Sequence, residues 1–348
     1  MRAAVIGAGA VGLTVAHLLA ESDAVSEVHV YEARPEAAGG ATAYAGASDV
    51  PHGWTERHRR LVESGEEWHR SFGAGLGADE RYRHRTGTFW RSGTPESDTR
   101  IRCMAYGDLA EVTRPLALDG ETPVRGLLGE GYVISPQRLT ALLLDRLRSG
   151  GRTTFRFGTP VAADSPLADG VVVDAEGGRE EYDAVVLAAG PWATGLLPAL
   201  AEGSDGSGLG VRTKQVYGYR FAGDPERPLT TTVVDLEQGA FLFPQPTLPG
   251  SYAMSVKHDV FDVPVAEGEP SPEADARALA VARDHLGPEA RLTERRIFVD
   301  TYTEGSVPVV ADLSGTRRLV CVSGTHGSGI RLAAGLAVEA CGLLGVAA

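Results

Sequence analysis

Residues 2–32 read RAAVIGAGAVGLTVAHLLAESDAVSEVHVYE, and their order decides the fold. Arg2 to Ile6 is a short apolar run of the kind that forms a buried strand. Gly7-Ala8-Gly9-Ala10-Val11-Gly12 follows, then an apolar helix from Leu13 to Leu19. Glu27 to Tyr31 alternates as a second strand and ends on Glu32. Strand, glycine turn, helix, strand and acid together make a dinucleotide-binding unit. Gly7 permits the tight turn, Gly9 lets the backbone approach a pyrophosphate, and Gly12 lets helix and strand pack closely. Unpaired N–H groups at the helix start, carrying about half a positive charge, hold phosphate. Glu32 stands where it can accept hydrogen bonds from ribose hydroxyls. An acid at that place disfavours a 2′-phosphate, so NADP is not expected.

Outward from that unit, Ala33-Arg34-Pro35 leads to a second small-residue loop, Gly39-Gly40-Ala41-Thr42-Ala43-Tyr44-Ala45-Gly46-Ala47. Such a loop suits an extended, two-ring cofactor. Thr55 to Phe72 reads as an amphipathic helix with Leu61, Val62 and Trp68 inward. Arg81 to Trp90 reads as strands joined by a turn at Thr86-Gly87-Thr88, and residues 91–131 carry no clear pattern. Ser135-Pro136 caps a helix from Gln137 to Arg148 that stops at Gly150-Gly151. Strand signals follow at Thr153 to Phe157, Val171 to Asp174 and Tyr182 to Leu187, the last running into Ala188-Ala189-Gly190-Pro191-Trp192. Residues 201–212 read as a flexible loop. Four strands at hairpin spacing come next: Val211 to Phe221, Thr230 to Asp235, Ala240 to Phe243 and Tyr252 to Lys257. A helix from Ser271-Pro272 to His285 and a strand from Arg291 to Thr303 precede a third glycine turn. There, Arg318 to Val322 feeds Ser323-Gly324-Thr325-His326-Gly327-Ser328-Gly329 and a helix from Ile330 to Leu344.

The 348 residues suit one large domain or two intimate ones. The net charge of −13 gives no footprint for nucleic acid or an anionic membrane. No run of about 18 apolar residues occurs, so a membrane span is not expected. Cys103, Cys321 and Cys341 have no metal-site or disulfide spacing. These features predict a soluble, cytoplasmic protein. Only two of the 33 basic residues are lysines, Lys214 and Lys257.

Four segments, VIGAGAVGL…VYEARP, GGATAYAGA, YDAVVLAAGPWA and VSGTHGSGIRLAAG, resemble the FAD-dependent D-amino-acid-oxidase-type superfamily, which includes glycine oxidase and monomeric sarcosine oxidase. The resemblance spans nearly the whole chain. It implies an α/β fold: a discontinuous Rossmann-like FAD-binding domain (1–75, 136–210 and 303–348) and an α+β substrate domain (76–135 and 211–302). The latter is built on a mixed, largely antiparallel sheet. It also implies oxidation of a C–N bond to an imine. Gly7, Ala8, Gly9, Val11, Gly12, Glu32, Ala33 and Arg34 would hold the ADP half of FAD. Gly39, Gly40, Ala41, Thr42, Ala189, Gly190 and Trp192 would line the pyrophosphate and flavin. Val161 matches a valine that meets adenine, and Gly327, Ser328, Gly329, Ile330 and Arg331 would meet the flavin's pyrimidine edge.

Departures from the family pattern sharpen the expectations. Sarcosine-oxidase-like members tether FAD through a Cys just before a Tyr-Thr pair, where this chain has Asp300, and residues 39–47 hold no His; noncovalent FAD is expected. The family's oxygen-activating Lys matches Met254, with Lys257 nearby. Gly46-Ala47-Ser48 replaces the substrate-carboxylate Arg of sarcosine-oxidase-like members, and Arg331 sits where those members have their second carboxylate anchor, a Lys. An alkylammonium must lose its proton before oxidation, a cost of about 4.6 kcal/mol at pH 7. His258 and His326 are the candidate bases, with Tyr302 beside them. Phe241, Tyr44 and His52 are further candidate pocket residues. The expected activity is an oxidase of an amino acid or related amine that reduces O2 to H2O2. The alternatives are a dehydrogenase passing electrons to another acceptor and a non-catalytic flavin-binding subunit.

Overall fold

The computed structural model describes residues 1–347 apart from 51, 54, 106, 116, 118–121, 162–170, 176–177, 201–208 and 267. Strands and helices are numbered separately along the chain. The smaller sheet has six strands in the order β16 (Val309–Asp312), β17 (Leu319–Ser323), β10 (Ala184–Leu187), β1 (Arg2–Ile6), β2 (Glu27–Glu32) and β7 (Thr153–Phe157). All pairings are parallel except β16 with β17. The central strands β1 and β10 are apolar because both their faces are covered, one by the helix side chains of the main core and the other by Val173, Tyr182, Ala193 and Leu197.

The helix after β1, α1 (Ala10–Glu21), packs against α5 (Pro136–Ser149) and α8 (Gly329–Leu343). Ser135 caps α5 by accepting the N–H of Arg138. Leu139, Leu143 and Leu147 point into the core, where α3 (Glu56–Gly73) also packs on α8. Gly12 fulfils its expected packing role: a Cβ there would lie 1.9 Å from Gly7 O.

The larger sheet has nine strands. Eight run β15 (Arg291–Thr303), β11 (Val211–Ala222), β14 (Ser251–Val256), β13 (Ala240–Pro244), β12 (Thr231–Asp235), β4 (Arg83–Arg91), β6 (Pro123–Ile134) and β3 (Ser48–Asp49), and β5 (Ala110–Pro115) pairs with β6. Only β12 with β4 is parallel, so the sheet is mixed and mostly antiparallel. One face carries Tyr217, Tyr219, Phe221, Tyr252, Met254 and Val256, packed on Ala274, Ala278 and Val281 of α7 (Pro272–Leu286). The other face looks toward the first sheet. Three short elements complete the description: a hairpin of β8 (Val171–Ala175) and β9 (Gly178–Tyr182), α4 (Pro95–Met104) and α6 (Ala193–Leu200). α2 (Ala41–Tyr44) turns the second small-residue loop.

Four local expectations change. The Thr86-Gly87-Thr88 turn is absent, and β4 runs straight through it. Gly87 serves close packing instead, since a Cβ would meet Thr231 Cγ2 at 3.1 Å. The strand expected from Tyr182 to Leu187 breaks at Asp183, its halves joining different sheets. β11 pairs with β14 and β15 and so forms no hairpin with β12. Residues 91–131, patternless in sequence, supply α4, β5 and most of β6. The loop expected over 201–212 lies mostly outside the described residues, and its end opens β11. Among the described residues, no helix is long and apolar enough to cross a membrane.

Candidate active site

A cavity of about 850 Å³ runs from the α1 start, between the two sheets, to the open face of the larger sheet. Gly7, Gly9, Val11, Glu32, Ala33, Arg34, Gly40, Ala41, Thr42, Val161, Ala189, Gly190 and Trp192 line one part of it. Ala8, Gly12 and Gly39 do not line it. Glu32 fixes the turn with both oxygens: Ala8 N donates to Oε2 and Arg34 N to Oε1, each at 2.9 Å. Each oxygen retains a lone pair for a ribose hydroxyl. Thr42 Oγ1 accepts Ala10 N at 3.1 Å and so ties the second loop to the helix start. The Trp192 indole lies over Gly40, where a Cβ would come within 3.1 Å, and Arg34 stacks 5.4 Å from the indole. This cradle of bare backbone, helix start and a ribose acceptor fits a dinucleotide.

The third glycine turn closes onto the end of β15. Gly324 N donates to Thr301 Oγ1, His326 N to Thr301 O, and Gly327 N to Asp300 Oδ2. Asp300 also accepts Thr301 N, yet burial still pushes its carboxyl up to about 6. His326 Nε2 accepts Thr303 N at 3.0 Å. Burial lowers this imidazole to about 4, so it is neutral at pH 7 with its proton assigned to Nδ1. Tyr302 packs edge-on against His326 at 4.9 Å, and burial raises its phenol. His326, Gly327, Ser328, Gly329, Ile330 and Arg331 all border the cavity.

Arg331 lines the cavity with its guanidinium already engaged. Nη1 donates to Val50 O at 3.3 Å and His52 O at 2.8 Å and meets the His52 ring, while Nη2 donates to Ser328 Oγ at 2.9 Å. The group ties Val50 and His52 to Ser328 at the start of α8. His52 packs edge-on against Trp90. Burial first, then Arg331, holds His52 well below the ordinary imidazole value.

Strand register supplies the remaining wall. Alternation puts Lys214, Val216, Gly218 and Arg220 of β11 on the open face, beside Phe241 and Phe243 of β13 and Ala253 and Ser255 of β14. Glu294, Arg296, Phe298, Asp300 and Tyr302 of β15 share that face. Tyr44 stacks on Phe298 at 5.3 Å. Met254 borders the cavity, but its side chain packs toward α7, because Ala253 and Ser255 take the inward positions. His258 borders the cavity with its ring 5.0 Å from that of Tyr217, and its Nδ1 is buried without a hydrogen-bond partner among the described residues.

The two lysines exchange the prominence that sequence suggests. Lys257 is 64% exposed at its side chain, whereas Lys214 is 7% exposed. Lys214 Nζ lies 4.7 Å from the Tyr302 ring centre and donates to Asp259 at 3.0 Å. Sequence reasoning missed Lys214, Arg220, Arg296 and Phe298 as wall residues. Their common signal is the two-residue period along 214–220 and 294–302.

A family model described as DAO, FAD dependent oxidoreductase, matches residues 2–343. Glycine oxidase of Geobacillus kaustophilus is 26% identical over 259 residues, covering 73% of this chain. The match spans 63% of that relative's length. Among solved structures, L-proline dehydrogenase from P. horikoshii superposes with a TM-score of 0.80 at 16% identity, covering 99% of this chain and 92% of that one. Glycine oxidase from Geobacillus kaustophilus superposes with a TM-score of 0.77 at 20% identity, covering 99% and 95%.

Proposed function

Because the chain belongs to the DAO family of FAD-dependent oxidoreductases, we propose that it oxidises an amino acid, or a related primary or secondary amine, to an imine with O2 reduced to H2O2. One observation carries this reading: a single cavity joins the dinucleotide cradle to an aromatic wall bearing cations and an imidazole whose buried Nδ1 has no hydrogen-bond partner among the described residues. FAD, when bound, supplies the two-electron acceptor. Gly7, Gly9 and Glu32 would hold its ADP half, Gly40 and Thr42 would line its pyrophosphate and flavin, and residues 327–329 would meet its ring through backbone N–H groups. Attachment is noncovalent in this reading: Asp300 stands at the tether position, and none of the three cysteines lines the cavity. Release of all FAD into the supernatant on acid precipitation is the expected result.

His258 is assigned as the group that takes the ammonium proton, since its buried Nδ1 has no competing partner among the described residues. His326 holds β15 against the glycine turn. Phe241, Phe298 and Tyr302 exclude water around the reacting carbon, which favours the neutral amine. Water then hydrolyses the released imine to a carbonyl compound and ammonia, or an amine from a secondary donor.

A second reading, a dehydrogenase serving another electron acceptor, draws on one observation. Met254, matched to the oxygen-activating lysine, turns its side chain toward α7, and Lys257 faces solvent. Peroxide yield in air separates the two. The oxidase reading predicts one peroxide per amine consumed. Rapid reduction by an amine with reoxidation by air too slow to sustain turnover supports the dehydrogenase instead.

A further inference from the structure

We propose that Arg220 and Arg296 form a carboxylate-binding subsite in the cavity wall, where the acid group of an amino-acid substrate is held. This rests on the reading of the cavity as an amine-oxidising site. Two guanidinium groups share one carboxylate there. Arg296 Nε and Nη2 donate to the two oxygens of Glu294 at 2.8 and 2.9 Å, and its Nη1 donates to Ala43 O at 3.1 Å. Arg220 Nε lies 3.5 Å from Glu294 Oε2, and its Nη1 donates to Gln245 Oε1 at 3.3 Å. The trio therefore carries one positive charge in excess.

Both arginine side chains are mostly screened from water, at 19% and 18% exposure. Burial first, then Arg296, pulls Arg220 below the ordinary guanidinium value. A second carboxylate relieves that repulsion, and a guanidinium held by long contacts can turn to meet it in a bidentate pair. The register leaves room for the ligand. Gly218 stands directly opposite Arg296 and next to Arg220 on the same face, so no side chain projects from β11 itself between the guanidinium groups, and the Phe298 ring edge lies 3.6 Å from where a Cβ would be.

Two further cavity cations are already engaged. Arg331 is turned onto Val50, His52 and Ser328. Lys214 is answered by Asp259 at 3.0 Å and stands in register with Asp300, so acids match bases at that end.

Benzoate titration of the FAD-loaded protein, followed by the flavin's visible spectrum, tests the subsite without turnover. Arg220→Met and Arg296→Met are each expected to weaken benzoate by about tenfold or more, with Arg220→Lys intermediate. Glu294→Gln removes the competing carboxylate and is expected to tighten benzoate about threefold or more, a gain that a merely structural role does not produce. In parallel, Arg220→Met should lower kcat/KM about tenfold or more for an amino acid and leave the matched decarboxylated amine within about twofold. Wild-type benzoate affinity in both Met variants, weaker binding in Glu294→Gln, or equal losses on acid and amine each overturn the proposal. Failure of every amine to reduce the wild-type flavin overturns the functional reading instead, and the benzoate affinities still decide the subsite.

Discussion

The two ends of the cavity are built from different materials. The dinucleotide end is made of backbone: glycine turns, a helix start, and one carboxylate that fastens two N–H groups. The substrate end is made of side chains projecting from one face of a sheet. Backbone sites tolerate almost no added volume but demand little of distant sequence. Side-chain sites depend on register between strands such as β11 and β15, which are about 80 residues apart in the chain.

The largest effect is expected where that contrast is sharpest. Gly12→Val forces a side chain onto Gly7 O, where even a Cβ would lie at 1.9 Å. It should cost about 3 kcal/mol or more and yield protein with little bound FAD, read from visible absorbance against total protein. Arg220→Met, by comparison, should leave FAD content intact.

Two buried groups answer pH in opposite directions. His69 in α3, hydrogen-bonded to Tyr82 and away from the cavity, is held at about 4 by burial. Its folded value lies below that of a free imidazole. Its contribution is therefore full above about 6.5 and drains as pH falls toward 4, by about 3 kcal/mol in all. Asp300 is raised to about 6. Its contribution is full below about 4 and is lost as pH rises through 6. Thermal midpoints across pH 4–8 should show His69→Phe flattening the acid limb. Asp300→Asn should gain relative to wild type between about pH 4 and 6. Parallel profiles for wild type and both variants contradict these assignments.

A smaller effect is expected from Glu32→Ala, which frees the N–H groups of Ala8 and Arg34 and removes the ribose acceptor. FAD should bind about 30-fold more weakly, roughly 2 kcal/mol, with benzoate affinity of the reloaded protein unchanged. Trp192→Ala should be smallest, loosening FAD about fivefold through loss of the cover over Gly40 and Arg34. Equilibrium binding to the apoprotein measures both.

Legibility in the sequence follows the same division. Residues 2–32, the Ser135 cap and the 323–329 turn were readable because glycine spacing and capping are local. Residues 91–131 were not, because α4 and β5 are mostly exposed and follow no strong apolar period. Arg331 was found from a local motif, but its guanidinium direction was not, since the carbonyls of Val50 and His52 come from another segment. Arg220 and Arg296 became visible as a pair only once β11 and β15 were in register. Met254 shows the converse: one step of strand alternation sends its side chain into the α7 core.

Anaerobic addition of an amino-acid and amine panel to the FAD-loaded protein decides whether the cavity oxidises amines at a bound flavin. At least one donor is expected to bleach the visible flavin absorbance, with one imine-derived carbonyl product formed per flavin. A flavin that dithionite bleaches but that no member of the panel reduces overturns the amine-oxidising assignment.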